Sequence, residues 1–222
     1  MLLDIPFYHN RGYRCAQATM KSVLKYTCHK GDFSFRKLDD ITDRHDDEIT
    51  YPVQIAKGFL ELGLNFRYFI RENGLDEYLK NDPVEKIKSF CAQRADWMIE
   101  HTNFSAVKTA IEDIKHSNKT IEKRLTFQEL TQEFENKNPI IFLFNIDILD
   151  GRDNSYKGHY GVITSMNDEN VWYHDSGPKS AMPNRKTNKK LFESARDLCW
   201  FDHGIIIVDG IQSGTQMVEN KA

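Results

Sequence analysis

Three residues whose side chains can together perform nucleophilic acyl chemistry occur in order along the chain: Cys15, His159 and Asp175. Cys15 begins an apolar-periodic segment, so its thiol is expected at a helix N-terminus. There the helix dipole and unpaired backbone N–H groups lower the pKa of a thiol, and the same N–H groups can stabilise an oxyanion. A histidine that reaches the sulfur and a carboxylate that orients this histidine would complete the site.

The histidine and the aspartate lie at the ends of two predicted strands. "GHYGVITSM" (158–166) has His159 near its start, and "VWYHD" (171–175) ends with Asp175. Each residue alone is a weak signal, because a cysteine at a helix start is more often structural and a histidine at a strand start is more often a surface residue. The ordered set is the stronger indication of a nucleophile, a general base and an orienting group.

The turn between these strands decides whether the two side chains meet. If Ser165 pairs with Val171, the histidine and the aspartate project from one face of the hairpin as diagonal neighbours. His174 then projects from the other face. A two-residue turn at Asp168 and Glu169 would break this relation, so the sequence permits the pairing without forcing it.

Other uses of the same residues are less well supported. A metal site made of His159, His174, Asp175 and Cys15 is the weakest hypothesis, because the spacings match no zinc motif. No metal and no cofactor are therefore expected. A binding or regulatory domain without turnover remains a separate hypothesis.

The composition indicates an ordinary globular domain. The chain has 222 residues, of which 40% are hydrophobic and 28% charged, which fits a single domain over 1–222. A net charge of −3 and a pI near 6.2 argue against a nucleic-acid partner. No run of about 18 apolar residues occurs, so no membrane span is expected. The sequence does not indicate an oligomeric state.

Cysteine spacing and the N-terminus together predict a cytoplasmic location. None of the four cysteines forms a CxxC pair, which argues against a zinc ribbon or a thioredoxin-type site and fits a reducing compartment. The first residues, "MLLDIPFYHNRG", lack the basic start and apolar core of a signal peptide. Export by a signal-independent route stays open.

Hydrophobic periodicity places helices mainly in the first half and strands mainly in the second. Helices are predicted to begin at Cys15 and to cover 53–64, 83–101, 104–116 and 126–136, with Cys91 in the core and strands at 65–70, 140–146, 159–166, 171–175 and 204–210. The acidic run within 31–50 is predicted to be a solvated loop rather than a metal site, because it lacks EF-hand spacing. The basic run 179–190 is also predicted to be a solvated loop, with a contact to an acidic substrate or a phosphate as the less favoured alternative. This segregation predicts an α+β domain with N-terminal helices packed on a C-terminal antiparallel sheet.

Several segments resemble one family. "IPFYHNRGYRCAQATMKSVLKY" is similar to the opening of papain-like cysteine peptidases of the bacteriocin-processing, double-glycine-leader type, which are bacterial enzymes. "NPIIFLFNI" and "GHYGVITSMNDENVWYHDSGP" resemble the strands that carry the base and the orienting residue, and "FESARDLCWFDHGIIIV" resembles the closing segment. The resemblance covers about half of the residues. Residues 71–125 match nothing in that family and are interpreted as a possible helical insertion.

The resemblance implies a papain-like fold and a Cys-His-Asp triad of Cys15, His159 and Asp175 that acts on a peptide or protein substrate through a thioester. The family's usual oxyanion-hole glutamine stands six residues before the cysteine. That place holds His9, followed by Asn10, and either side chain can donate a hydrogen bond. Related acyltransferase, transglutaminase or deamidase activities, or an inactive binding domain of this fold, stay open as alternatives.

Overall fold

A computed structural model describes residues 1–10, 12–28, 33–152, 156–179, 181–196 and 200–209. Cys199 lies outside the described residues, as does Gly210, the last residue of the predicted strand 204–210. The α-helices are α1 (Cys15–Cys28), α2 (Phe35–Ile41), α3 (Pro52–Glu61), α4 (Gly74–Lys80), α5 (Pro83–Cys91), α6 (Ala95–Glu100), α7 (Phe104–Lys115), α8 (Phe127–Glu135), α9 (Ile146–Leu149) and α10 (Lys189–Ala195). The strands are β1 (Phe66–Ile70), β2 (Thr120–Glu122), β3 (Ile140–Asn145), β4 (Gly158–Met166), β5 (Asn170–Asp175), β6 (Met182–Asn188) and β7 (Asp202–Val208).

The strands of this part of the chain form one seven-stranded sheet in the order β2-β1-β7-β3-β4-β5-β6. Each neighbouring pair is antiparallel except β1 and β2, which are parallel. The predicted α+β class is confirmed, and the sheet is mixed because β2 joins its edge parallel to β1. β3 and β7 lie in the centre, and every residue in both is buried, as their continuous apolar sequences require.

Helix α1 positions the candidate nucleophile because its apolar face is fixed on the sheet. Ala16, Met20, Val23 and Leu24 recur at helical spacing and are all buried. The helix packs on β4, the strand that carries His159. The N-terminus of α1 is thereby held against the start of β4.

The region 71–125 contributes both to the core and to the surface around the site. Helix α7 packs on α3, and β2 extends the sheet beside β1. The predicted helix over 83–101 is wrong as a single element, because a 3-10 turn at Ala92–Arg94 separates α5 from α6. The periodicity does not reveal this break, since Cys91 and Met98 are buried on either side of it. The prediction that Cys91 is a core residue is confirmed.

The predicted acidic loop is also wrong in part. Ser34 accepts a hydrogen bond from the Lys37 N–H at 3.1 Å and caps α2. Asp39 is buried on this helix, where Arg14 Nε lies 2.8 Å and Arg44 Nη1 lies 3.2 Å from its carboxylate oxygens. Paired charges allow a polar sequence to be buried, which the charge count of the segment could not indicate.

The predicted basic loop at 179–190 contains an edge strand. β6 pairs with β5 over Asn170–Asp175, and α10 begins directly after it. β6 lacks alternating apolar residues because it has a neighbour on one side only, and charged side chains are typical of such edges. The absence of that alternation explains why this strand was missed.

Candidate active site

The loop before α1 is held in place by hydrogen bonds on both sides of Arg14. Its N–H donates to Oδ1 of Asn10 at 2.9 Å, and its carbonyl accepts the first helical bond from Ala18 at 2.9 Å. Its side chain is the one that pairs with Asp39. Cys15 is therefore the first residue of a helix whose entry is fixed by backbone and side-chain contacts.

Cys15 and His159 are in direct contact. The sulfur hydrogen-bonds with the His159 ring and with the backbone N–H groups of Ala16 and Tyr160. Burial alone would raise the pKa of the Cys15 thiol, but the charge of His159 and these hydrogen bonds lower it below its ordinary value. Conversely, burial would lower the pKa of His159, and the charges and hydrogen bonds of Cys15 and Asp175 raise it to about 9. Both shifts favour a thiolate–imidazolium pair.

Asp175 orients the imidazole and is itself fully bonded. Its Oδ1 lies 2.9 Å from Nε2 of His159 and accepts the N–H of Gly177 at 3.1 Å. With Nε2 engaged, the ring's Nδ1 is left to face the sulfur. Although burial opposes ionisation of Asp175, these hydrogen bonds and the nearby cations lower its pKa. The site thus contains a buried, ionised orienting group.

Packing around the hairpin further restricts the positions of His159 and Asp175. Phe144 on β3 packs edge-on against the His159 ring, with ring centroids 5.3 Å apart and planes at 88°. Gly161 lies opposite Asp175 in the β4–β5 ladder. A Cβ at Gly161 would lie 3.0 Å from the Phe142 ring and 3.1 Å from the His174 carbonyl, so the close packing at this position favours glycine.

The hairpin reaches this arrangement by a route that the sequence analysis did not predict. The turn does have two central residues, Asp168 and Glu169, because the Asn167 N–H donates to the Asn170 carbonyl at 3.0 Å. The register then shifts at Thr164, between Ile163 and Ser165.

This bulge adds one residue to β4 and reverses the parity set by the turn. Val162 therefore pairs with His174 and Gly161 with Asp175, so His159 and Asp175 occupy the same face. The bulge at Thr164 thus brings His159 and Asp175 to one face, which the sequence had suggested would require a turn that pairs Ser165 with Val171.

His174 does not belong to the site. Its Nε2 donates to the Ile5 carbonyl at 2.7 Å, and its Nδ1 accepts the Asn184 N–H at 3.2 Å. Burial, partly opposed by the bond to Ile5, lowers its pKa, so the ring is neutral and structural. Within the described ranges no three histidine, cysteine or acidic side chains are arranged to hold a metal ion, and of the four residues of the metal hypothesis His174 lies apart from the other three, bonded to Ile5 and Asn184.

Arg185 is a site residue that the sequence analysis missed. Its Nη1 donates to Oδ2 of Asp175 at 2.8 Å, and its Nη2 pairs with Asp150. The guanidinium is mostly buried, with 19% of the side chain exposed. Asp150 also pairs with Arg152. The polar chain that begins at Cys15 therefore continues beyond the predicted triad to a second carboxylate.

The two candidate oxyanion donors differ in position. Asn10 is 1% exposed, lines the cavity beside Cys15, and donates from Nδ2 to the Gly177 carbonyl at 3.3 Å. His9 is exposed, and its Nε2 lies 3.3 Å from the Pro178 carbonyl. His9 does not line the cavity among the described residues. Asn10 is therefore the better placed of the two.

A cavity of about 900 Å³ opens at the sulfur, a size suited to a peptide segment or a small organic ligand. One wall is the start of β4 and another comes from the region 71–125, where Trp97 lies between Arg94 and His101. Tyr13 and Met182, each about half exposed, also line the cavity.

Comparison with known proteins reveals similarity of structure only. No family model and no curated protein sequence matches the chain. Among matching solved structures is the peptidase domain of Streptococcus ComA, a bi-functional ABC transporter involved in a quorum sensing pathway, with 14% identity and a TM-score of 0.48, covering 94% of this chain and 98% of that one. Another is a Bacillus anthracis protein described as a C39-like peptidase, with 12% identity and a TM-score of 0.49, covering 94% and 96%.

These neighbours are of the kind that the sequence resembles, and the likeness concerns the fold alone. Separately, no helix in the described part of the chain is long and apolar enough to cross a membrane.

Proposed function

We propose that this chain is a thiol hydrolase of the cysteine-peptidase type, acting on a peptide or amide substrate. The observation that carries the proposal is the hydrogen-bonded series from the Cys15 sulfur through the His159 ring to the Asp175 carboxylate, at the opening of a cavity. Buried structural ion pairs rarely combine a thiolate at a helix N-terminus with an imidazolium and adjacent space for a ligand.

The reaction follows from the charges of this pair. The Cys15 thiolate attacks the carbonyl carbon, so a C–S bond forms and the carbonyl electrons move to oxygen, where backbone N–H groups at the start of α1 stabilise them. His159 gives its Nδ1 proton to the leaving amine as the C–N bond breaks, which leaves a thioester. Water then attacks the thioester and gives a proton to His159, and the acid and the thiolate are released.

The step that consumes the thioester distinguishes a hydrolase from an acyltransferase. If an amine attacks the thioester instead of water, the product is an amide and the enzyme is an acyltransferase. A cytoplasmic location, which keeps the thiol reduced, and a peptide or protein partner form part of the proposal.

Intact-mass spectrometry with an activated acyl ester tests the proposal. Wild-type protein should gain one acyl group on Cys15 and lose it in water, whereas Cys15→Ser should gain none. Addition of an amine shows which acceptor is preferred. Failure of Cys15 to acylate in a protein that melts normally would leave a binding domain of this fold as the better interpretation.

A further inference from the structure

Charge is distributed unevenly between the cavity and the rest of the protein. The chain as a whole has a net charge of −3, yet the ionisable side chains that line the cavity beside the Cys15–His159 pair are mainly cationic. They are Arg94, Arg152, Lys157, Lys179 and Arg185, against Asp150 and Asp175. A cleft lined by one sign of charge concentrates ligands of the opposite sign.

The two carboxylates are already neutralised within the site. Asp175 faces His159 and Arg185, and Asp150 faces Arg185 and Arg152. Among the described residues, Arg94, Lys157 and Lys179 show no ion pair of their own. These three side chains, named here the rim cations, supply the positive charge that remains.

The rim cations come from separate segments that meet around the sulfur. Arg94 lies over the Trp97 ring at 4.6 Å from its centroid. Lys157 immediately precedes β4, and its carbonyl and N–H are bonded to Ile146 and Asn145. Lys179 follows Pro178, whose carbonyl lies against His9. Three independent backbone segments therefore place positive charge around one opening.

The geometry points to an acidic peptide segment as the substrate class, with a carboxylate close to the carbonyl that Cys15 attacks. This inference rests on the proposed function and adds a charge requirement to it. The aromatic wall formed by Tyr13 and Trp97 accommodates the apolar part of such a segment, and the rim cations attract its carboxylates.

Alkylation of Cys15 by an anionic and a neutral reagent tests the inference without a known substrate. Iodoacetate and iodoacetamide both form a thioether with loss of iodide and differ in charge. For each protein, the ratio of the two rates at Cys15 reports local charge, and iodoacetamide serves as the internal reference.

The rim variant carries Arg94→Gln, Lys157→Gln and Lys179→Gln. The control carries Arg36→Gln, Lys37→Gln and Lys108→Gln, which are exposed residues outside the cavity.

Both variants lose the same net charge, so only the location differs. At an ionic strength of about 10 mM, where screening is weak, the iodoacetate-to-iodoacetamide ratio should fall about fivefold in the rim variant and stay unchanged in the control. Equal changes in both variants, or none in either, would overturn the inference. Slow iodoacetamide labelling of Cys15 would count against the proposed function instead, because the ratio can still be measured on a slow thiol.

Protection by peptides tests the substrate class directly. Two pools are compared, one containing glutamate and a matched pool in which every glutamate is glutamine. The glutamate pool should slow iodoacetamide labelling of wild-type Cys15 more strongly, and this advantage should disappear in the rim variant. If the two peptide pools protect Cys15 of the wild-type protein equally, this result contradicts an acidic substrate.

Discussion

Arg185 donates from Nη1 to Oδ2 of Asp175 over 2.8 Å, while the other carboxylate oxygen serves His159 and Gly177. All of these partners are hydrogen-bond donors, so this position suits a carboxylate, which only accepts hydrogen bonds. In the described part of the site, Asp175 is therefore both the orienting residue for the imidazole and the anchor of a buried guanidinium.

Asp175→Asn is expected to lose turnover by about thirtyfold or more. The amide has one accepting oxygen. If that oxygen faces His159, the amide NH₂ faces Arg185, and a donor is set against a charged donor at a cost of about 2–3 kcal/mol. Turnover and the alkylation rate of Cys15 by iodoacetamide measure the loss.

The double variant Asp175→Asn, Arg185→Met identifies the cause. Removing the guanidinium eliminates the opposed donors, so this protein should recover part of the lost activity. If the double variant is no better than Asp175→Asn alone, the charge of the carboxylate, and not the donor conflict, is what the site requires.

Arg185→Met alone should shift the pH dependence of the site. The guanidinium is a cation near the imidazolium and disfavours its protonated form, so its removal raises the pKa of His159 further above its ordinary value. The alkaline limb of turnover, where the imidazolium loses its proton, should move upward by roughly half a pH unit. Lys186→Met is the matched control, because Lys186 follows Arg185 on β6, lies over the Trp172 ring of the neighbouring strand and is outside the cavity. A downward shift of the limb would refute this electrostatic role.

His174→Ala should affect stability without affecting the thiol. The change leaves the Ile5 carbonyl and the Asn184 N–H without their partner, which costs about 2–4 kcal/mol of unfolding free energy. Denaturant unfolding measures this loss. Iodoacetamide labelling of Cys15 under native conditions should stay within about twofold of wild type, and a larger decrease would mean that His174 acts on the site.

The same variant should also change the pH dependence of stability. Because burial holds the pKa of His174 below its ordinary 6.5, the unfolded chain binds a proton more readily, and wild-type stability falls as pH drops below about 6.5. This contribution to the slope should be absent in His174→Ala.

Asn10→Ala should reduce turnover about a hundredfold if its amide stabilises the oxyanion, the usual cost of one lost donor. Alkylation by iodoacetamide forms no oxyanion, so it should decrease much less. His9→Ala should leave both rates near wild type, since this side chain is exposed and faces Pro178. Parallel decreases of turnover and alkylation in Asn10→Ala would indicate that Asn10 only holds the loop at Arg14.

The sequence predicts elements whose burial follows a period and fails where polar contacts decide the structure. The apolar residues of α1 recur at helical spacing because the helix buries one face. Those of β3 are continuous because the strand is buried on both faces. Asp39 on α2 pairs with Arg14, 25 residues away, and Arg185 on β6 pairs with Asp150, 35 residues away, and no local pattern encodes such partners.

The hairpin illustrates the same limit for the candidate site. Alternation along β4 shows which residues of that strand share a face with His159. The bulge at Thr164 decides which residues of β5 lie on the same face. The Thr164 carbonyl accepts the Leu3 N–H at 2.8 Å, so an N-terminal residue contacts the bulge. Leu3 and Thr164 are far apart in the sequence, so strand periodicity cannot predict their contact.

The central claim is that Cys15 is held as a thiolate by His159, and competitive labelling of the four cysteines by sub-stoichiometric iodoacetamide at about pH 6.5 tests it most directly. Cys91 is an internal reference, because burial raises the pKa of its thiol to about 11. Cys15 should react about a hundredfold or more faster than Cys91. In His159→Ala most of that advantage should disappear, since burial raises the Cys15 pKa and only the backbone N–H groups of Ala16 and Tyr160 then oppose it. Equal labelling of Cys15 and Cys91 in wild-type protein, or fast Cys15 labelling that survives the loss of His159, would contradict the account.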